Sequence, residues 1–397
     1  MTDPTQAPPD PPTAPPPPEA AATPDAAATP GAAGTPEAAP SPGIQLGLLA
    51  WLGIVTLGGV FSLALGHADS GVLFVVAGVF ALAQSTDAAV VLAGYREWVR
   101  DSLPRRSVHG VLFRLVVRSI LPVTGAVAFA GFGTWALTTG SGASPRLAAA
   151  WCAFAALISL SLVGRTVADF VTRLLFGSGA PGRTRRLTAR IAVLLLLLPV
   201  PARLMGSEIM ASLRDSGTAL IDPPGLVTQL FGEIAIALAG VGLFVRRDWS
   251  ATRERLGLVA MRPSHLGVLA AGLVAAIGLN TGMTSLQQHV FPRLWNEDAA
   301  MVQLMSSTLP VWTTLLLGVS AGFGEEILFR GALQPRLGVA MTALLFACLH
   351  VQYSWFGMLT VGALGVLLGV VRSRTNTTTA VLVHGLYDIF AALTSGT

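Results

Sequence analysis

Long apolar runs separated by short polar connections set the pattern of the chain. The runs are Ile44–Leu65, Gly71–Gly94, Ile120–Thr138, Leu147–Val163, Ile191–Met205, Leu226–Val245, Leu266–Met283, Leu309–Gly322, Ala340–Tyr353, Phe356–Val371 and Thr378–Leu393. Most approach the roughly 20 residues that an α-helix needs to cross a bilayer. The pattern therefore predicts an all-α polytopic integral membrane protein with about 11 transmembrane helices. The last runs are short, so tilted or irregular spans are expected there. Pro199 and Pro201 should kink or end the fifth. Ahead of the first run, residues 1–43 are rich in Pro, Ala and Thr, and their charges (Asp3, Asp10, Glu19, Asp25 and Glu37) are all acidic. Such a segment has too few apolar side chains to offset the entropy of ordering, so a disordered tail is expected. It also lacks the basic and then apolar order of a signal peptide.

Composition supports this reading. Apolar residues make up 52% of the chain and charged residues 12%, against about 25% charged in a soluble domain. All 25 basic residues are Arg, so the net charge of +4 reflects composition, and no nucleic-acid partner is expected. The arginines gather in alternate connections. Arg96, Arg100, Arg105, Arg106, Arg114 and Arg118 follow the second run; Arg173, Arg183, Arg185, Arg186 and Arg190 follow the fourth. Arg246, Arg247, Arg253, Arg255 and Arg262 follow the sixth, and Arg372 and Arg374 the tenth. By the preference of cytoplasmic loops for basic residues, these connections face the cytoplasm, as does the N-terminus. The two cysteines, Cys152 and Cys348, both sit in apolar runs, form no zinc-type spacing, and are expected to pack as small buried hydrophobes.

Chemistry enters where the apolar text is broken by ionisable groups, which are costly in a bilayer and seldom stand there without a role or a partner. The stretch Gly322-Phe-Gly-Glu-Glu-Ile-Leu-Phe-Arg-Gly-Ala-Leu-Gln-Pro335 carries Glu325, Glu326 and Arg330. On a helix Glu326 and Arg330 are four apart and can pair, while Glu325 points about 100° away and is free for acid/base work. Two further pairs follow at the same spacing: Phe346 with His350, and His384 with Asp388. Asp87 and Glu233 also interrupt apolar runs; a residue of this kind usually pairs with a neighbouring helix. The C-terminal set has two chemical readings. Either Glu325 acts as general base on a water positioned by His350, with His384 and its neighbour stabilising an oxyanion, or His350, His384 and a carboxylate hold a divalent metal that activates the water. No HExxH motif is present, and no nucleophile elbow. A transporter using Asp87, Glu233 and the histidines as a proton path is disfavoured, because the groups cluster in one C-terminal segment.

Glu325-Glu326-xxx-Arg330, Phe346-xxx-His350 and His384-xxx-Asp388 resemble the motifs of the CAAX-protease and bacteriocin-processing (CPBP, or Abi) family of intramembrane endopeptidases, to which type II CAAX prenyl proteases belong. The resemblance covers about residues 309–393. It implies a helical intramembrane protease core in 306–397, preceded by accessory transmembrane helices in 44–305. It also implies Glu325 and His350 as the water-activating pair, His384 and residue 388 at the oxyanion, and Glu326 with Arg330 as a structural pair. The family's third motif usually ends in Asn, whereas this chain has Asp388, whose ionised carboxylate cannot donate to an oxyanion. The expected activity is hydrolysis of a peptide bond in a membrane-associated protein or peptide, in the lipid of a bacterial inner membrane. No cofactor is required in the favoured mechanism, and a divalent metal such as zinc on Glu325, His350 and His384 stays open. The alternative is a catalytically silent scaffold or a bacteriocin-immunity-type protein of the same fold.

Overall fold

In the computed structural model, residues 43–87, 108–140, 144–177, 182–205, 221–306 and 310–395 are described. The helices in chain order are α1 (Gly43–Ala64), α2 (Ala68–Asp87), α3 (Val108–Thr139), α4 (Pro145–Ser161), α5 (Arg165–Phe176), α6 (Arg183–Leu197), α7 (Pro199–Leu204), α8 (Pro223–Val241), α9 (Trp249–Leu256), α10 (Pro263–Val290), α11 (Pro292–Ser306) and α12 (Val311–Ser320). Two π-helical segments follow, Ala321–Glu325 and Ile327–Leu333, and then α13 (Gln334–Leu349), α14 (Trp355–Arg374) and α15 (Thr377–Ser395). No β-strand occurs among the described residues. This is the outcome expected where backbone polar groups have no water to bond and must be satisfied within one segment. The predicted tail, Arg96 to Arg106 and the side chain of Asp87 lie outside the described residues.

Among the described residues, seven helices are long and apolar enough to cross a membrane, or eight if the bent pair α4–α5 is one span. The predicted count of about eleven is compatible with this, because the remaining runs are present in modified form. In α2 the apolar part is short, Ser70–Gln84, and α4 and α5 meet at 98°. The helix α15 is diluted by four threonines, His384 and Asp388. The eighth and ninth runs fall together in one stretch, Val311–Leu349, of 39 residues. At 1.5 Å per residue a helix of that length would reach about 58 Å, about twice the hydrocarbon thickness. It does not run unbroken, because Gly338 takes φ 75° and ψ 172°, a left-handed conformation that glycine alone adopts without strain. Pro199 separates α6 from α7, as its missing N–H requires.

Several connections expected to be arginine-rich loops are helical instead. Arg183, Arg185, Arg186 and Arg190 fall within α6, Arg173 within α5, and Arg114 and Arg118 within α3. Acceptors reach several of these guanidinium groups within the helical packing. Arg186 donates to Asp169 of α5, and Arg190 to the carbonyl of Leu162 at 3.1 Å.

The core holds the motif segment from two sides. Ala237 and Val241 of α8 pack on Ile327 and Ala332. Ala192 of α6 packs with Phe329, Leu345 and Phe346. Where α12 meets α15 the backbones nearly touch. A Cβ at Gly318 would stand 2.6 Å from the carbonyl oxygen of Gly385, and one at Gly322 would stand 2.8 Å from that of Val381. Small residues four apart permit such an approach between membrane helices. This crossing brings Glu325 and Glu326 opposite His384 and Asp388. Gly322→Ala is expected to destabilise the fold by about 1–3 kcal/mol, the usual cost of forcing volume into a filled contact. Thermal unfolding in detergent checks it, and a change of less than about 0.5 kcal/mol, within the range of a neutral surface substitution, contradicts it.

Candidate active site

The segment carrying the two glutamates is π-helical rather than α-helical, with hydrogen bonds reaching to i+5. Such turns are rare and recur at functional sites. The pairing expected from the four-residue spacing is present: Arg330 Nε lies 3.3 Å from Glu326 Oε2, and both side chains are fully buried. The guanidinium also lies over the Phe346 ring, 4.7 Å from its centroid, and 6.0 Å from that of Phe329. None of its three nitrogens makes a hydrogen bond among the described residues, so the contact with Glu326 is an ion pair. The ring face thus supplies a cation–π contact in place of a second carboxylate.

The second oxygen of Glu326, Oε1, accepts from His384 Nδ1 at 3.0 Å. This places a proton on Nδ1, since an ionised carboxylate only accepts. The ring's other nitrogen, Nε2, stands 3.4 Å from Asp388 Oδ2 and 3.9 Å from Glu325 Oε2. His384 is therefore ringed by three carboxylates on two chain segments. His350 is oriented separately, with Nδ1 donating to the Phe346 carbonyl at 2.9 Å. That bond leaves the lone pair on Nε2, where it can accept from a water. Phe346 organises the site as a whole. Its ring is 4.7 Å from His350 and 6.0 Å from His384, beside the Arg330 contact already described.

Glu325, His350, His384 and Asp388 all line one cavity of about 1010 Å³. Of the residues expected from sequence, the structure thus brings these four to a common wall, with Glu326 and Arg330 directly behind it. Glu325, His350 and His384 do not converge as a metal-ligand set: no group of three His, Cys, Asp or Glu side chains among the described residues is arranged to hold a metal ion. Cys348 is buried and free, as is Cys152.

Two features beyond the motifs complete the site. The first is Glu233 of α8. Its Oε1 accepts from Gln229 at 3.0 Å, and its Oε2 is buried without a hydrogen bond among the described residues. A Cβ at Gly324 would lie 2.3 Å from that oxygen, so a third carboxyl backs the Glu325 segment. The second is a buried network under the loop that follows His350. Asp298 of α11 accepts from the backbone N–H of Ser354 at 2.5 Å, from its hydroxyl at 2.6 Å and from Gln287 at 2.7 Å. Ser354 caps α14, accepting from Gly357 at 3.1 Å, and so fixes where His350 and Tyr353 stand. A serine directly before an apolar run is the sequence signal that could have found this cap. Asp298, 56 residues away, gave no local signal.

The model of the family described as "Type II CAAX prenyl endopeptidase Rce1-like" matches residues 307–390. That span contains every member of the set just described except Gln229, Glu233, Gln287 and Asp298. Uncharacterized protein YpbD of Bacillus subtilis (strain 168) is 30% identical over 151 residues, which is 38% of this chain and 76% of that protein. No solved structure matches the chain. The helical architecture, the order and spacing of the three motif pairs, and these matches agree: the chain belongs to the CAAX-protease and bacteriocin-processing family, in its type II CAAX prenyl endopeptidase, Rce1-like, group.

Proposed function

We propose that this chain is an intramembrane endopeptidase that hydrolyses a peptide bond of a membrane-associated protein or peptide, with Glu325 as the general base. One observation carries the reading. Glu325, His350 and His384 face a single cavity, and the polarity of each imidazole is set by a partner behind it, the Phe346 carbonyl for His350 and Glu326 for His384. Groups so oriented before substrate arrives need little reorganisation during reaction.

In this scheme a water is held between Glu325 and the Nε2 lone pair of His350. Glu325 takes one proton, and the hydroxide oxygen forms a bond to the carbonyl carbon. The carbonyl oxygen becomes an oxyanion beside His384. The C–N bond then breaks, the electron pair goes to nitrogen, and Glu325 returns the proton to the leaving amine. No step is routed through a metal, because the donors do not gather into a ligand set. By the arginine distribution, the N-terminus and the motif end of the cavity face the cytoplasm of a bacterial cell.

The test is cleavage of a panel of internally quenched peptides, prenylated and not, by the purified chain in nanodiscs, with and without chelator. Chelator-insensitive cleavage is the predicted result. Loss of cleavage that is restored by zinc would replace the general-base scheme with a metal-dependent one.

Asp388 offers a second check. Its carboxylate lies 3.4 Å from His384 Nε2, where it steadies the ring but cannot itself donate to an oxyanion. Asp388→Asn keeps the volume and supplies an N–H, so cleavage is expected to hold within about tenfold. Asp388→Leu, which removes the acceptor that steadies His384 and supplies no donor, is expected to lose about 10²-fold or more, because the imidazole beside the oxyanion is then no longer held in place. Equal loss in both variants would show that the ionised carboxylate itself is needed.

A further inference from the structure

Part of the cavity wall is formed by α10, which lies outside the residues of the family match and is the least buried of the candidate spans at 11%. Its cavity face carries Asn280, Thr281 and Thr284. Apart from Thr252 and Thr313, whose buried hydroxyls have no partner among the described residues, threonines elsewhere in these helices commonly spend their hydroxyl on the carbonyl four residues back, as Thr124, Thr342 and Thr360 do. Thr281 and Thr284 do not, and Asn280 likewise has no hydrogen-bond partner among the described residues. Polar groups left open in an apolar span are costly. Three of them on one face, turned into a cavity that also holds Glu325, are matched by a ligand rich in N–H and C=O groups.

The spacing narrows the ligand. Asn280 and Thr284 are about 6 Å apart along the helix axis at 1.5 Å per residue. An extended peptide turns its backbone N–H and C=O to the same side at every second residue, about 6.6 Å apart. One turn further on, Gln287 is already engaged by Asp298 and by Ser354 at 3.2 Å. The open polar face therefore ends at the network that fixes the His350 loop. Charge narrows it again. The cavity is lined by four carboxyl groups, Asp222, Asp298, Glu325 and Asp388, against three histidines, His67, His350 and His384, and by no arginine among the described residues, so an acidic side chain is disfavoured by the carboxylates around it.

We propose that Asn280, Thr281 and Thr284 form a subsite that binds the backbone of an extended, non-acidic peptide segment and leads it to Glu325. The proposal rests on the endopeptidase reading for its direction, but its test does not require hydrolysis. Full-length Glu325→Gln protein in nanodiscs is titrated with a neutral-dye-labelled, end-blocked Ala/Leu peptide and read by anisotropy. Parallel titrations use the same peptide with alternate backbone amides N-methylated and a version with aspartates.

Asn280→Leu/Thr284→Val is expected to weaken binding of the unmodified peptide about tenfold, the scale of two modest hydrogen bonds. N-methylation should cost the same on the unaltered subsite and nothing further on the variant, because the two changes remove one interaction. Asn280→Gln/Thr284→Ser, which keeps the polar groups, should bind within about threefold. The aspartate peptide should bind at least about tenfold more weakly than the neutral one. No binding of the neutral peptide, losses that add in full, or equal binding of the aspartate peptide would each overturn the proposal. If the peptide binds as described and the unaltered chain cleaves none of the panel, the endopeptidase reading falls while the subsite stands.

Discussion

Glu325→Gln is expected to lower peptide cleavage by about 10²–10⁴-fold, the usual contribution of a positioned general base. The loss should fall on kcat with KM nearly unchanged, because the amide preserves the shape of the cavity wall and removes only the capacity to take a proton. The variant should also fold normally. Glu325 is partly exposed to the cavity, 15% by side chain, and its ion-pair contact, to His384 Nε2, is long at 3.9 Å. No buried hydrogen bond is therefore broken. Single-turnover cleavage paired with thermal unfolding separates these effects. Cleavage within about tenfold of the unaltered chain would remove Glu325 from the base role, since that is less than the smallest usual base contribution.

The adjacent glutamate should behave in the opposite way. Glu326 and Arg330 are fully buried 3.3 Å apart, and Glu326 also takes the His384 Nδ1–H. Removing one member of a buried pair strands the other charge, at a cost of about 3–5 kcal/mol. Glu326→Leu and Arg330→Met are each expected to destabilise the chain on that scale, read as a fall in the denaturation midpoint in detergent. The double substitution strands neither charge, so it should recover most of the stability. It should not recover activity, because His384 loses the acceptor that fixes its ring. A double variant as unstable as the singles would mean that the pair contributes attraction well beyond its own desolvation. A double variant with normal cleavage would show that Glu326 does not position His384.

The sequence carried the parts of this site that lie within one helical turn. Glu326 with Arg330, and His384 with Asp388, were readable as same-face pairs because four residues on a helix bring side chains together, and both pairs are close in space. Phe346 and His350 were readable for the same reason. The π-helical path of the motif was not, because no residue pattern within the segment signals it, and neither was the close approach of α8 and α15 to the glycines at 318, 322 and 324. Contacts between segments far apart in sequence were equally hidden. Glu233 stood out as a carboxylate in an apolar run, but its approach to Gly324 required the tertiary fold. Asp298, on a helix of mixed polarity, gave no sign of the hydrogen bonds it accepts from Ser354. The arginine clusters marked helix ends more than loops, because nearby carbonyls and carboxylates let Arg186 and Arg190 stay helical.

The most direct test of the central claim, that water activated at Glu325 enters the product, is mass spectrometry of cleavage products formed in heavy-oxygen water. The unaltered chain in nanodiscs should yield a new C-terminal carboxylate carrying a single heavy oxygen, in one turnover and without a burst of released amine. Glu325→Gln should yield essentially none of that product. Amine released ahead of the labelled acid would indicate an acyl-enzyme, and labelled product from Glu325→Gln at the unaltered rate would place the base elsewhere; either result contradicts the mechanism.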